Sequence, residues 1–234
     1  MREKVAKKHH EDIKIYSKEH WNLFFNFRKI AYKYLEILKD FHPIIHGSIV
    51  RGDIHKKSDV DIMFLNLINE YQILSVLDIE PTERWLVQAT PLSAIKGVLI
   101  FPEITISFPL IPLYPREEEF YRFGGLLTYE EIKNDLYKRI SGVNKKLLFI
   151  LPTENGHAEL RVDTENASVI AKKLKISIET VLERIRVLEH RDKVGRTGVF
   201  LKRMLRPDES FGEVLNQIKD SNPATRRRIR RKHI

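Results

Sequence analysis

Gly47-Ser48, then ten residues, then Asp59-Val60-Asp61 is the part of this chain best suited to chemistry. Pro43-Ile44-Ile45-His46 reads as a short apolar strand running into a Gly-Ser turn. A glycine there lets the backbone approach a ligand closely, and the adjacent N–H and hydroxyl groups can hold a phosphate oxygen. Asp59 and Asp61 open a second apolar stretch, Val60 to Leu65. Residues two apart on a strand point to the same face, so the spacing predicts two carboxylates converging beside a phosphate-binding turn. A hard divalent cation such as Mg²⁺ or Mn²⁺ takes a few carboxylate oxygens and completes its shell with water and substrate phosphates.

The full run, Gly-Ser-x-x-Arg-Gly-x-x-x-x-x-Ser-Asp-x-Asp, adds Arg51, Gly52 and Ser58, which makes seven fixed positions. It resembles the signature of the DNA polymerase beta-like nucleotidyltransferase superfamily, in particular the minimal nucleotidyltransferases and archaeal-type CCA-adding enzymes. The likeness is strong over residues 40–66 and weak over 9–125. It implies a nucleotidyltransferase fold and metal-dependent transfer of a nucleoside monophosphate from an NTP. In that reading Asp59 and Asp61 are catalytic and hold the metal, while Gly47 and Ser48 hold phosphate oxygens. Arg51 neutralises the leaving pyrophosphate, and Ser58 orients Asp59 or caps the turn. Active members usually place a third carboxylate on a later strand. Glu103, just before Ile104–Phe108, is the candidate for that catalytic and metal-binding role. Asp78 and Glu80 are the runners-up, and a looser alignment puts the position at Thr105.

The elements that must position these residues are legible by periodicity. Trp21, Phe24, Phe25, Phe27, Ile30, Ala31, Tyr34, Leu35 and Leu38 recur at helical spacing and predict a long helix over 9–40, stopped by Pro43. Arg84–Ala89 and Ile104–Leu110 read as strands. Leu92–Val98, Glu117–Tyr121 and Tyr129–Arg139 read as helices. The sum is an α/β (α+β) domain over residues 1–140, and the resemblance implies a mixed sheet within it.

Residues 141–205 carry a different pattern. Lys146–Leu151 and Ala158–Val162 flank Asn155-Gly156 as a hairpin. A short helix from Asn166 to Leu174, a tight turn and a second helix capped by Ser177 form a helix-turn-helix pattern. The basic turn Lys193–Gly198 resembles the wing of winged-helix DNA-binding domains. Thr180, Arg184, Arg191, Lys193 and Arg196 are the candidate nucleic-acid contacts, opposed by Glu179 and Glu183 on the same helix. Residues 206–234 end in the run Arg226–Lys232, which reads as a solvated basic tail or a polyanion-binding arm.

The charge supports that division. Residues 1–140 hold 20 Lys+Arg and 20 Asp+Glu, whereas residues 141–234 hold 21 and 12, so the whole net charge of +9 lies in the second part. A basic surplus confined to one region suggests a polyanion partner, DNA or RNA. No stretch reaches the roughly 18 uninterrupted apolar residues of a membrane span. The absence of cysteine excludes disulfides and thiolate metal sites. With no apolar leader after Met1, the expected location is the cytoplasm.

Three functions fit these observations. The first is a nucleotidyltransferase guided by a C-terminal nucleic-acid-binding module, acting on an RNA end, a protein hydroxyl or a small molecule. The second is a winged-helix transcription regulator that keeps the fold as a nucleotide sensor. The third is an antitoxin-like protein adenylyltransferase with a protein acceptor. The first is the leading expectation.

Overall fold

The computed structural model describes residues 4–7, 10–195 and 198–230. The chain enters through strand β1 (Glu11–Ile15) and helix α1 (Lys18–Ile37), then runs through β2 (Ile44–His46), α2 (Ser48–Arg51), β3 (Asp61–Met63) and α3 (Glu70–Leu77). Next come β4 (Glu83–Gln88), β5 (Ile95–Ile100), β6 (Thr105–Pro109), α4 (Pro115–Gly124), β7 (Leu126–Thr128) and α5 (Tyr129–Asn134). The remainder is β8 (Gly142–Val143), β9 (Leu148–Thr153), β10 (Gly156–Arg161), α6 (Ala167–Leu174), α7 (Ile178–Val194), β11 (Leu201–Met204), α8 (Phe211–Ser221) and α9 (Pro223–Arg230).

The fold is mixed α/β. Seven strands form one sheet in the order β11-β4-β5-β6-β3-β2-β7, and four form a second in the order β1-β10-β9-β8. Within the large sheet β3 and β6 run parallel and the other neighbours antiparallel, so the sheet is mixed. Its main core joins α1 (Phe24, Ala31, Leu35) to the sheet (Ile45, Ile62, Ile106, Phe108) and to α8 (Phe211, Val214). A second core lies under α6 and α7 and includes Phe149, Val162, Ile170, Val181 and Ile185.

Three expectations change. The helix starts at Lys18, where the Ser17 side chain accepts from the His20 N–H, and not at residue 9. Residues 11–15 are instead a strand on β10, because the apolar helical stripe begins only at Trp21 and Ile13 and Ile15 stay exposed. The segment expected as a helix over 92–98 contributes β5, an interior strand. Its Ile95, Gly97 and Leu99 alternate inward, and the Phe108 ring lies so close over Gly97 that a Cβ there would overlap it.

The third change concerns the C-terminal part. The strand after the basic turn does not pair within its own unit as a wing. It becomes β11, the edge strand of the large sheet next to β4, with Leu201 opposite Gln88 and Met204 opposite Trp85. The tail is packed up to Arg230. Arg228 is buried and donates to Leu92 O (3.0 Å), Pro112 O (3.0 Å) and Glu117 Oε2 (2.9 Å), with its guanidinium over the Tyr114 ring. Buried Thr225 donates to Gln88 Oε1 at 2.8 Å. A run of like charges folds here because a carboxylate and two carbonyls of the first unit receive one of its arginines. Residues 231 and 232 of the run lie outside the described residues.

Candidate active site

β2 ends at His46, and the next residue, Gly47, has a φ of 86° and ψ of −145° that suit glycine alone. The Gly47 N–H donates to Gly125 O at 3.0 Å, tying the turn to the loop before β7. The turn continues as α2, which closes at Gly52 (φ 100°), whose N–H donates to Ser48 O at 2.7 Å. Arg28 of α1 holds this short helix from below through Ile49 O (2.6 Å) and Val50 O (3.4 Å), and reaches Lys138 O at 2.6 Å. Burial pushes the Arg28 guanidinium down to about 10, so it stays charged at neutral pH.

The Ser58 Oγ accepts from the His55 N–H at 3.0 Å and from Ser48 Oγ at 3.4 Å. That bond brings the loop carrying Asp59 beside the Gly-Ser turn. β3 then pairs with β2 (Ile45 opposite Ile62) and with β6 (Asp61 opposite Thr105). Continuing the first register by one residue sets His46 beside Asp61.

Asp59 is exposed and Asp61 half-buried. Burial raises the Asp61 carboxyl above its ordinary range and the charge of Asp59 adds to the rise, while Lys145 and Lys96 oppose it. Asp59, Lys145 and Lys96 thus lie within electrostatic reach of Asp61. Burial, with the charges of Lys96, Arg51 and Lys145, pushes the His46 imidazole down to about 3, which keeps it neutral. Its ring lies edge-on to Tyr121 at 5.0 Å, and Lys96 Nζ donates to the Tyr121 hydroxyl at 3.2 Å.

Other expected participants are committed elsewhere. Arg51 is buried; it donates from Nε and Nη2 to Asp53 (2.9 and 3.1 Å) and from Nη1 to Gly124 O (2.5 Å). It is a buried clasp between the turn and α4, with its polar edge filled by protein acceptors. Glu103 lies in the β5–β6 turn, where its carboxylate accepts from the Tyr34 hydroxyl at 3.0 Å and sits 3.7 Å from Lys33 Nζ. Asp78 caps the end of α3, and Asp78 and Glu80 are both exposed. The β6 residue facing Asp61 is Thr105. Among the described residues, His10, Asp12 and Glu159 are the one group of three His, Asp or Glu with ligand atoms within 4.8 Å of one another; no third such residue joins Asp59 and Asp61.

The expected nucleic-acid residues divide. Thr180 is buried and its hydroxyl donates to Glu119 of α4. Glu119 also accepts from the Ser177 N–H (3.0 Å) and Ser177 hydroxyl (2.6 Å), so a carboxylate from α4 occupies the start of the presumed reading helix. Burial pushes that carboxyl up, but the Ser177 and Thr180 hydroxyls outweigh it and hold it below its ordinary value. Arg184 lies over the Phe120 ring at 4.9 Å, and burial lowers it to about 10. Arg191 and Lys193 are exposed at the far end of α7, and Arg196 lies outside the described residues.

Lys96 and Lys145 are the residues that sequence reasoning missed. Lys96 becomes visible once 95–100 is read as a strand, since it alternates with buried Ile95 and Gly97. Lys145 lies in the turn between β8 and β9 and has no local signal. Compared with models of protein families, with curated proteins and with solved structures, the chain finds no significant match.

Proposed function

We propose that this protein binds a nucleoside triphosphate with a divalent cation at the Asp59–Asp61 corner, in the manner of a nucleotidyltransferase that has weak or no transfer activity. The observation that carries the reading is the pairing of Asp61 with Thr105 across β3 and β6. Two carboxylates suit one cation, which takes its remaining oxygens from water and the triphosphate. The raised Asp61 carboxyl, repelled by Asp59, is the kind of group that cation binding relieves. A bound cation supplies charge neutralisation for the triphosphate. The protein's own part is to hold that cation through Asp59 and Asp61, present Gly47 and Ser48 to phosphate oxygens, and offset phosphate charge with Lys96 and Lys145. A threonine facing Asp61 offers no third carboxylate for the ion that would activate an acceptor hydroxyl.

Nucleotidyl transfer is the second reading. It is favoured by the seven-position match, which is complete from Gly47 to Asp61. The test incubates the protein with Mg²⁺ or Mn²⁺ and each α-labelled NTP, with RNA, DNA and protein acceptors, and measures NTP binding in parallel. The expected result is cation-dependent binding that Asp59→Ala/Asp61→Ala abolishes, with no label transferred by wild type and some transferred by Thr105→Asp. Robust transfer by wild type would replace the first reading with the second. Absence of cation-dependent NTP binding would sink both.

A further inference from the structure

The side of the large sheet away from α8 carries an unassigned surface. On β4, Leu86 and Gln88 point into the core and toward α9, so Trp85 and Val87 point the other way. The register sets Trp85 opposite Val98 on β5 and Met204 on β11, with Val87 opposite Lys96 and Lys202. All of these residues are half-buried or exposed, and Met204 is 50% exposed. α4 reaches this side only at its Lys96 end, where Lys96 Nζ donates to the Tyr121 hydroxyl at 3.2 Å, and α8 meets β4 from the opposite side, where Phe211 packs on Phe108. Phe200 precedes β11 with its N–H donating to Ala89 O, is 40% exposed, and extends the line Phe200, Lys202, Met204 along the sheet edge.

We infer that this face is a binding surface for a single-stranded polynucleotide, with a base stacked on Trp85 and phosphates met by Lys202 and Lys96. Single strands are held by aromatic platforms interleaved with cations, since every base has a π-face and the backbone supplies the charge. Lys202 Nζ now sits 4.1 Å over the Trp85 ring. The Trp85 Nε1–H donates to Glu83 Oε2 at 2.7 Å, which anchors the indole by its edge. A base can take the place of the flexible ammonium on the ring, and the displaced ammonium then meets a phosphate. Glu83 is the one carboxylate of this face on β4, β5 and β11, and its bond to the indole directs it along the ring edge. The strand order β4-β5-β6-β3 sets Lys96 between Trp85 and Asp61, so the polynucleotide would run from Trp85 toward the carboxylate pair. That direction rests on the reading of the Asp59–Asp61 corner as a nucleotide site; the binding surface does not.

The test follows Trp fluorescence as unstructured RNA, unstructured DNA of the same sequence and duplex DNA are added, with NTP binding measured separately. Trp21, the other tryptophan of the chain, is controlled for in Trp85→Phe. Single strands are expected to quench wild type. Trp85→Ala should weaken binding roughly 5- to 150-fold, the loss expected for one stacked base, whereas Trp85→Phe keeps most of the affinity. Lys202→Ala should lower the salt slope by about 0.7. Equal affinity for RNA and DNA would assign recognition to base and phosphate, and preference for RNA would add the ribose hydroxyl. The proposal is overturned if Trp85→Ala and Lys202→Ala bind as wild type, if duplex competes best, or if only a protein partner protects this face. Unchanged cation-dependent NTP binding in both variants shows that they are folded. Loss of NTP binding in Asp59→Ala/Asp61→Ala with strand binding intact separates failure of the nucleotide reading from failure of this one.

Discussion

The corner built by β2, α2 and β3 and the helix pair α6–α7 each carry a local sequence pattern with a chemical meaning, and the fold uses them differently. At the corner, short-range spacing survives intact. The turn at Gly47, the cap at Ser58 and the two aspartates lie within fifteen residues, and one strand pair and one hydroxyl contact tie that stretch together. In α6–α7 the helices form as expected, but the first turn of α7 faces α4, and Glu119 holds Ser177 and Thr180 where a phosphate was expected. A helix pattern fixes which residues share a face; what covers that face is set by elements distant in sequence.

The comparison breaks most severely at Arg51, a motif residue that behaves like a core residue. Arg51→Ala should cost about 3 kcal/mol of stability, because it leaves the half-buried Asp53 carboxylate with only the Asn144 amide as a partner, read as a lower denaturation midpoint. Normal stability with lost NTP affinity would return Arg51 to the phosphate role.

The next effect is on pH. The folded pKa of His46 is depressed from 6.5 to about 3, so its contribution is present above about 6.5 and is lost as pH falls toward 3. Across that window its slope approaches about 1.4 kcal/mol per pH unit. His46→Gln should remove that slope from stability-versus-pH curves; unchanged acid sensitivity would show that His46 is solvated.

Thr180→Val should cost about 1–2 kcal/mol by stripping a hydroxyl from the Glu119 carboxylate. If stability held and polynucleotide binding fell, the first turn of α7 would be a reading surface after all.

Asp61→Asn should act in the opposite sense. A carboxyl with a raised folded pKa contributes stability below its unfolded value of 3.8 that is lost as pH rises through the folded pKa. Removing the charge should therefore stabilise the cation-free protein at neutral pH while abolishing cation-dependent NTP binding. Loss of stability would mean that Asp61 has a partner stronger than its repulsion from Asp59.

The smallest effect is expected at the exposed end of α7. Arg191→Ala and Lys193→Ala should each change stability by less than about 0.5 kcal/mol and weaken polynucleotide binding only a few-fold. Larger losses there than at Trp85 would move the binding surface from the sheet to the helix.

Legibility followed the range of the interaction. α1 and α7 were visible because apolar residues at helical spacing declare a buried stripe, and their caps at Ser17 and Ser177 are local. β5 was misread because Leu92–Val98 is too short and apolar for periodicity to separate helix from strand. That error hid Lys96, whose direction depends on strand alternation. The role expected of Glu103 depended on where a turn would aim one carboxylate, and Tyr34, far away in sequence, receives it instead.

By itself the sequence determined the Gly-Ser turn, the segregation of positive charge and the mixed α/β class. Each of these rests on backbone geometry, strand alternation or composition, which act over a few residues or over none. Tertiary structure alone decided that Thr105 faces Asp61, that Arg51 is consumed by Asp53, that Glu119 caps α7 and that residues 201–204 extend the first sheet. Those outcomes depend on strand order and on which buried charge finds a partner, and both are settled only when distant segments compete for the same core.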